Sequence, residues 1–130
     1  MPFRHTVSED GTFVTITASG SIDMQAFEAL ARLLGEVRLA WGAHVLADCR
    51  HASSAMSARA MSDAALGFRA LPLKGVQRIA FVVDRDHLFG LARAFSCYAE
   101  QHGLACDVFR TAEAARRWLT NEVRLEDGAV

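Results

Sequence analysis

The stretch that most constrains this chain is Arg78 to Val83, RIAFVV. It is rich in β-branched and aromatic residues, and it is apolar on both faces of the pleat. A strand of that kind has to be covered on both sides, and in a small domain the covers are helices. The flanking segments supply them. Upstream, Met56, Ala60, Ala64, Phe68 and Leu71 recur at helical spacing, and Met61 and Ala65 widen the stripe. Pro72 ends that helix and Gly75 turns the chain. Downstream, Asp86 is placed to cap a helix with Leu88, Leu91, Ala92, Phe95 and Ala99 facing inward, and Gly103 closes it.

The same alternation extends to both ends. Phe3 to Ser8 and Thr12 to Ser19 (TFVTITAS) have β character, and Glu9-Asp10-Gly11 between them signals a hairpin. Asp23 then caps a helix with Phe27, Leu30, Leu34 and Val37 on one stripe beside Leu33, and Gly42 stops it. Ala43 to Ala47 reads as a short buried strand ending at Asp48. Cys106 to Phe109 is another, and Thr111 caps a last helix with Ala115, Trp118 and Leu119 inward and Glu113 in its first turn. The order is β-β-α-β-α-β-α-β-α. It predicts an α/β fold: a mixed, mostly parallel sheet of about five strands with an N-terminal antiparallel hairpin and four helices. One domain spans residues 1–120, and residues 121–130 form a tail.

Composition narrows the function. In 130 residues, 14 Lys+Arg face 15 Asp+Glu, a formal charge of −1, so nucleic acid is not an expected partner. Apolar residues make up 52%, enough for a core without disulfides or metals. No stretch approaches the roughly 20 apolar residues of a membrane helix, and the start MPFRHTVSEDG is not a signal peptide. A cytoplasmic location is expected. Cys49, Cys97 and Cys106 form no C-x-x-C pair, and the five histidines lack metal-ligand spacing. Neither a P-loop, a dinucleotide-binding loop nor a G-x-S-x-G elbow is present, so no cofactor is expected.

In a parallel sheet, ligands gather beyond the C-terminal ends of the strands. Three loops are expected on that rim: Asp48 to Ser57, Asp84 to His87, and Arg110-Thr111. The candidate binding residues are Asp48, Arg50, Ser53, Ser54, Ser57, Asp84, Arg85, His87 and Phe89. The acids and arginines make a polar wall, and the serines lie at or near a helix start, where free amides accept anions. Phe89 falls off the inward stripe and is expected to be exposed as an anchor. Cys49 and His51 are two apart and point the same way on an extended segment, so a hydrolase built on Cys49 or Ser53 remains one alternative.

Four stretches taken together resemble the SpoIIAA-like branch of the STAS superfamily, a STAS/SEC14-like domain. They are TASGSID (Thr17 to Asp23), LADCR (Leu46 to Arg50), RIAFVVD (Arg78 to Asp84) and DVFRTAEAARRWL (Asp107 to Leu119), and the likeness covers Phe13 to Leu119. The resemblance implies a domain without a catalytic centre that docks to a partner protein or takes a small apolar ligand. It places a phosphorylation switch in Arg50 to Ser57. The Asp-Ser-Ser/Thr-Gly motif is absent, and no glycine follows Ser53-Ser54. A lipid or hydrophobic-ligand carrier with a pocket between the helices is the alternative implied, with Met56, Met61, Phe68, Leu88 and Phe89 as its loose fit. A homodimer is also open, since Trp41, Phe89 and Trp118 are three large rings for a small domain to bury.

Overall fold

Asp10 makes the first turn. Its carboxylate accepts hydrogen bonds from the Ser8 hydroxyl at 2.8 Å, the Thr12 amide at 3.1 Å and the Thr12 hydroxyl at 2.7 Å. These donors hold its pKa down at about 2. Gly11 takes a φ of 73°, which a Cβ would resist. Strands β1 (Phe3–Val7) and β2 (Phe13–Ser21) leave this turn as an antiparallel pair.

The computed structural model describes residues 3–36, 42–69, 76–101 and 103–120. After the hairpin come α1 (Met24–Glu36), β3 (Ala43–Ser53), α2 (Ala58–Arg69), β4 (Val76–Val82), α3 (Asp86–Gln101), β5 (Ala105–Phe109) and α4 (Ala112–Thr120). This is the expected element order. The sheet runs β1-β2-β3-β4-β5, parallel everywhere except between β1 and β2. Val37, Trp41, Leu71, Pro72, Gly75 and residues 121–130 lie outside the described residues.

The helix starts follow from local chemistry. Asp23 accepts the Ala26 amide at 2.9 Å, Ser57 the Ala60 amide at 3.1 Å, and Thr111 the Ala114 amide at 3.1 Å, each satisfying a first-turn donor. Asp86 departs from expectation. The Arg85 carbonyl accepts the Phe89 amide, so Arg85 holds the cap position, and Asp86 sits in the first turn. Gly103, at a φ of 91°, closes α3. Its amide bonds to the Glu100 carbonyl, and the Leu104 amide to that of Ala99.

Two cores flank the sheet. On one face Val14, Ile16, Val45, Ala47, Ile79, Phe81 and Val108 pack beneath α1, α2 and α3. Phe95 of α3 is the centre, stacked on Phe27 at 5.1 Å and edge-on to Phe81 at 5.5 Å. On the other face Leu46, Ala80 and Val82 meet Ala115 and Leu119 of α4. Double coverage of β4 is why RIAFVV carries no polar face.

The main departure is β3. Expected to end at Asp48, it runs to Ser53. Its pairing with β4 does stop at Asp48↔Val82, but β2 continues beside it through Ser21↔Ser53. A bulge makes this possible: Thr17 pairs with Asp48 but Ser19 with His51, so one residue of β2, Ala18, opposes two of β3, Cys49 and Arg50. The result is a two-stranded ribbon reaching past the end of β4.

Candidate functional site

The ribbon changes the first rim loop into structure. Asp48 to Ser53 are strand residues, and only Ser54 to Ser57 link to α2. The Asp48 carboxylate receives the Arg50 guanidinium through two parallel bonds, Nε to Oδ1 at 2.9 Å and Nη2 to Oδ2 at 2.8 Å. It also accepts the Arg50 backbone amide at 3.1 Å. These contacts hold the Asp48 carboxyl below the usual carboxylate range, the Arg50 hydrogen bond first among the causes. Arg50 is still 42% exposed.

The bulge also separates Cys49 from His51. Ala47 and Ala52 belong to the same core although they are an odd number of residues apart, so the alternation of sides slips by one between them. Cys49 packs against that core, while His51 is exposed and its charge is felt by Asp48. Burial pushes the Cys49 thiol up to about 12, and the Asp48 charge adds to the effect. A thiol so raised stays protonated at neutral pH and is a poor nucleophile. The expected side-by-side placement of Cys49 and His51 is therefore corrected.

The serines divide. Ser53 is exposed at the ribbon end. Ser54 is buried, donating to the Ile22 carbonyl at 2.7 Å and accepting the Met56 amide at 3.2 Å. It ties the loop before α2 to the loop before α1. Ser57 is the α2 cap.

The second rim loop leaves Asp84, Arg85, Asp86 and His87 exposed. Asp84 lies near enough to Arg50 for its charge to act on the guanidinium. The ribbon end and this loop therefore lie side by side as one polar lip. Phe89 differs from expectation: it is half-buried, with the Arg110 guanidinium 4.0 Å above its ring. Arg110 also donates to the Asp84 carbonyl at 2.9 Å and to the Asp86 carboxylate at 2.8 Å. It clamps the end of β5 to the loop before α3. The sequence analysis placed Arg110 on the rim without a role; its signal was an arginine directly after a strand that ends beside two acids.

Beneath the lip lies an apolar cavity of about 40 Å³, lined by Phe27, Phe81, Phe95, Met61, Leu88 and Cys49 among others. It lies between the helices and the sheet and is small. Among the described residues no cluster of His, Cys, Asp and Glu is arranged to hold a metal. Nor is any described helix long and apolar enough to cross a membrane. Of the three rings that left a homodimer open, Phe89 is covered by Arg110, and Trp118 packs on Phe109 and under Arg78. Trp41 lies outside the described residues.

Comparison with known proteins matches this geometry. A sequence model of the family described as SpoIIAA-like matches residues 13–120. A solved structure from Shewanella loihica PV-4, an uncharacterized protein from the DUF3478 family with a SpoIIAA-like fold, is similar at a TM-score of 0.57 and 17% identity. The similarity covers 90% of this chain and 91% of that one. No curated protein matches the chain.

Proposed function

The chain belongs to the SpoIIAA-like family, whose STAS-like fold commonly serves partner binding, and from that premise we propose a non-enzymatic module that docks a partner protein at the C-terminal rim. The working surface is the exposed part of the lip, Arg50, Ser53, Asp84, Arg85 and His87, with half-buried Asp48 beneath Arg50. One observation carries the reading. Arg50 is fixed by a two-pronged contact on a strand end that projects past β4, yet its guanidinium remains 42% exposed. A pre-positioned arginine with donors left over loses little side-chain freedom when it binds. The lip carries Asp48, Asp84 and Asp86 against Arg50, Arg85 and Arg110, a balance that suits a mixed-charge protein surface better than a polyanion. Free thiols at Cys49, Cys97 and Cys106 fit a cytoplasmic setting.

The test is affinity capture from cells of the source organism with Arg50→Glu, Arg85→Glu and the double variant, each checked for unchanged circular dichroism. A protein retained by the natural chain and lost with the double variant supports the reading. Retention unchanged with both arginines reversed overturns it.

The apolar cavity favours a second reading, a small apolar ligand. By this measure a water needs roughly 10–15 Å³, so about 40 Å³ admits a molecule of a few heavy atoms. A lipid chain would need α2 and α3 to part. Native mass spectrometry of freshly purified protein tests this: the mass of the bare chain alone counts against any carried ligand.

A further inference from the structure

We propose that the groove between α1 and α2 is a docking site for a basic amphipathic helix of a partner protein. On the covered face of the sheet, α2 packs closely against α3 and stands off from α1. The gap is a groove of about 270 Å³. Its floor is Met24, Phe27, Ala31 and Ala64, and its two edges carry Glu28 and Asp63. Met24, Phe27, Glu28 and Ala31 lie at i, i+3, i+4 and i+7 of α1, so a single helical line forms one wall. That line borders the buried line of Ala26, Leu30 and Leu34, and its own Ala31 is buried in the core while Phe27 stacks on Phe95. The groove floor is thus the rim of the core, where Met24 and Phe27 stay half-buried.

Charge selects the occupant. Glu28 and Asp63 are exposed, and among the described residues neither forms an ion pair, although Arg32 and Arg59 lie one turn away on their own helices. Carboxylates on both edges of an apolar floor match a helix with leucine-like side chains down its centre and Lys or Arg beside them. The same carboxylates repel an anionic membrane surface. At this size the groove falls short of the roughly 300–1,000 Å³ typical of small-molecule sites, but among the described residues it is open to solvent. It therefore receives side chains of a segment lying across it.

Gly67 lines the groove from within α2, and a Cβ built there meets nothing within 4 Å, so that wall can be rebuilt by substitution.

The probe is a fluorescent Leu/Lys amphipathic peptide of about 18 residues, five turns of helix. A Leu/Glu peptide of the same pattern and vesicles of phosphatidylcholine with phosphatidylserine serve as comparisons. Binding is read by anisotropy, and location by amide shifts. The expected result is binding of the Leu/Lys peptide alone, with shifts at Phe27, Ala31, Ala64 and Gly67. Glu28→Lys with Asp63→Lys should weaken it by roughly tenfold or more. Gly67→Leu, which adds bulk at the groove wall, should do the same. Glu9→Lys with Glu113→Lys makes the same charge change elsewhere and should leave binding within about twofold. Equal loss in that control, equal binding of the Leu/Glu peptide, shifts confined to other surfaces, or groove shifts produced by the vesicles instead would each overturn the proposal.

Discussion

Alkylation of the three cysteines at pH 8 tests the chemistry of the rim directly. Cys97 is exposed on α3, whereas Cys49 lines the apolar cavity and Cys106 is buried on β5. Burial pushes both of the latter thiols up to about 12. An ordinary thiol near pKa 8.5 is about one quarter ionised at pH 8, while one at about 12 is ionised to about one part in ten thousand. Since the thiolate is the reactive form, native Cys49 and Cys106 should react more than about a thousandfold more slowly than the same thiols in the unfolded chain from ionisation alone, and restricted access lengthens the lag. The assay is a time course with iodoacetamide, followed by peptide mapping in the native state and in guanidinium, where all three should react alike. Alkylation of native Cys49 within about tenfold of Cys97 would refute the argument. It would mean an ionised, reachable thiol, and the Cys49 hydrolase would return as a live reading.

Other outcomes follow from the same geometry. With unfolded values near 8.5 and folded values of about 12, the unfolded chain sheds these protons first, so stability is full below about pH 8.5 and falls as pH rises toward 12, by about 1.4 kcal/mol per unit for each thiol. Urea midpoints at pH 8 and 10 should show a shallower fall in Cys49→Ala than in the natural chain; identical falls would contradict this cause. Gly90 lies within α3 with nothing within 4 Å of a built Cβ, so Gly90→Ala should add about 0.5–1 kcal/mol and raise Tm. A lowered Tm would show a contact that the structure does not contain. Ser54→Ala removes a buried donor to the Ile22 carbonyl and an acceptor for the Met56 amide, and should cost about 1–3 kcal/mol in urea unfolding, while Ser53→Ala should change little.

Most of the fold was legible because its signals are local. Asp10-Gly11, Asp23, Ser57, Thr111 and Gly103 each sit at an element boundary and perform there the hydrogen bonding that their side chains or φ angles allow. The site was less legible because its decisive features are non-local. RHAS after Asp48 has no run of β-branched residues, and it becomes strand only because β2 extends beside it. The bulge that turns His51 away from Cys49 is a property of the pairing, not of either strand alone. Phe89 was expected to be exposed because helical spacing placed it off the inner stripe. Its cover, Arg110, comes from 21 positions further along the chain. The groove edges Glu28 and Asp63 read in sequence as ordinary solvated positions, since nothing local says that α1 and α2 stand apart.

The strand order explains why the working surfaces lie where they do. In a doubly wound sheet the order reverses once, and helices diverging to opposite faces open a crevice at the reversal. Here the order is sequential, so each parallel crossover steps in the same direction, and a constant right-handed sense places α1, α2 and α3 on one face. No crevice of that kind can form. Three helices side by side need about 20 Å between the outer axes, whereas β2 to β5 span only about 14 Å. The outer helices must therefore overhang the sheet: α3 packs on the edge strand β5, and the cover over the hairpin side reaches Phe3 of β1. With α2 committed to α3, the slack in this layer falls between α1 and α2, where the groove is. Among the described residues the opposite face has α4 alone, over β3 to β5, and the hairpin there turns Arg4, Thr6, Thr15 and Thr17 outward. Both proposed surfaces thus lie at the margins of the fold, the projecting ribbon and the parted helices, and not in a central cleft. Pushing α2 toward α1 by enlarging residues at the α2–α3 contact should close the groove and leave the rim intact, which makes the two surfaces separable by mutation.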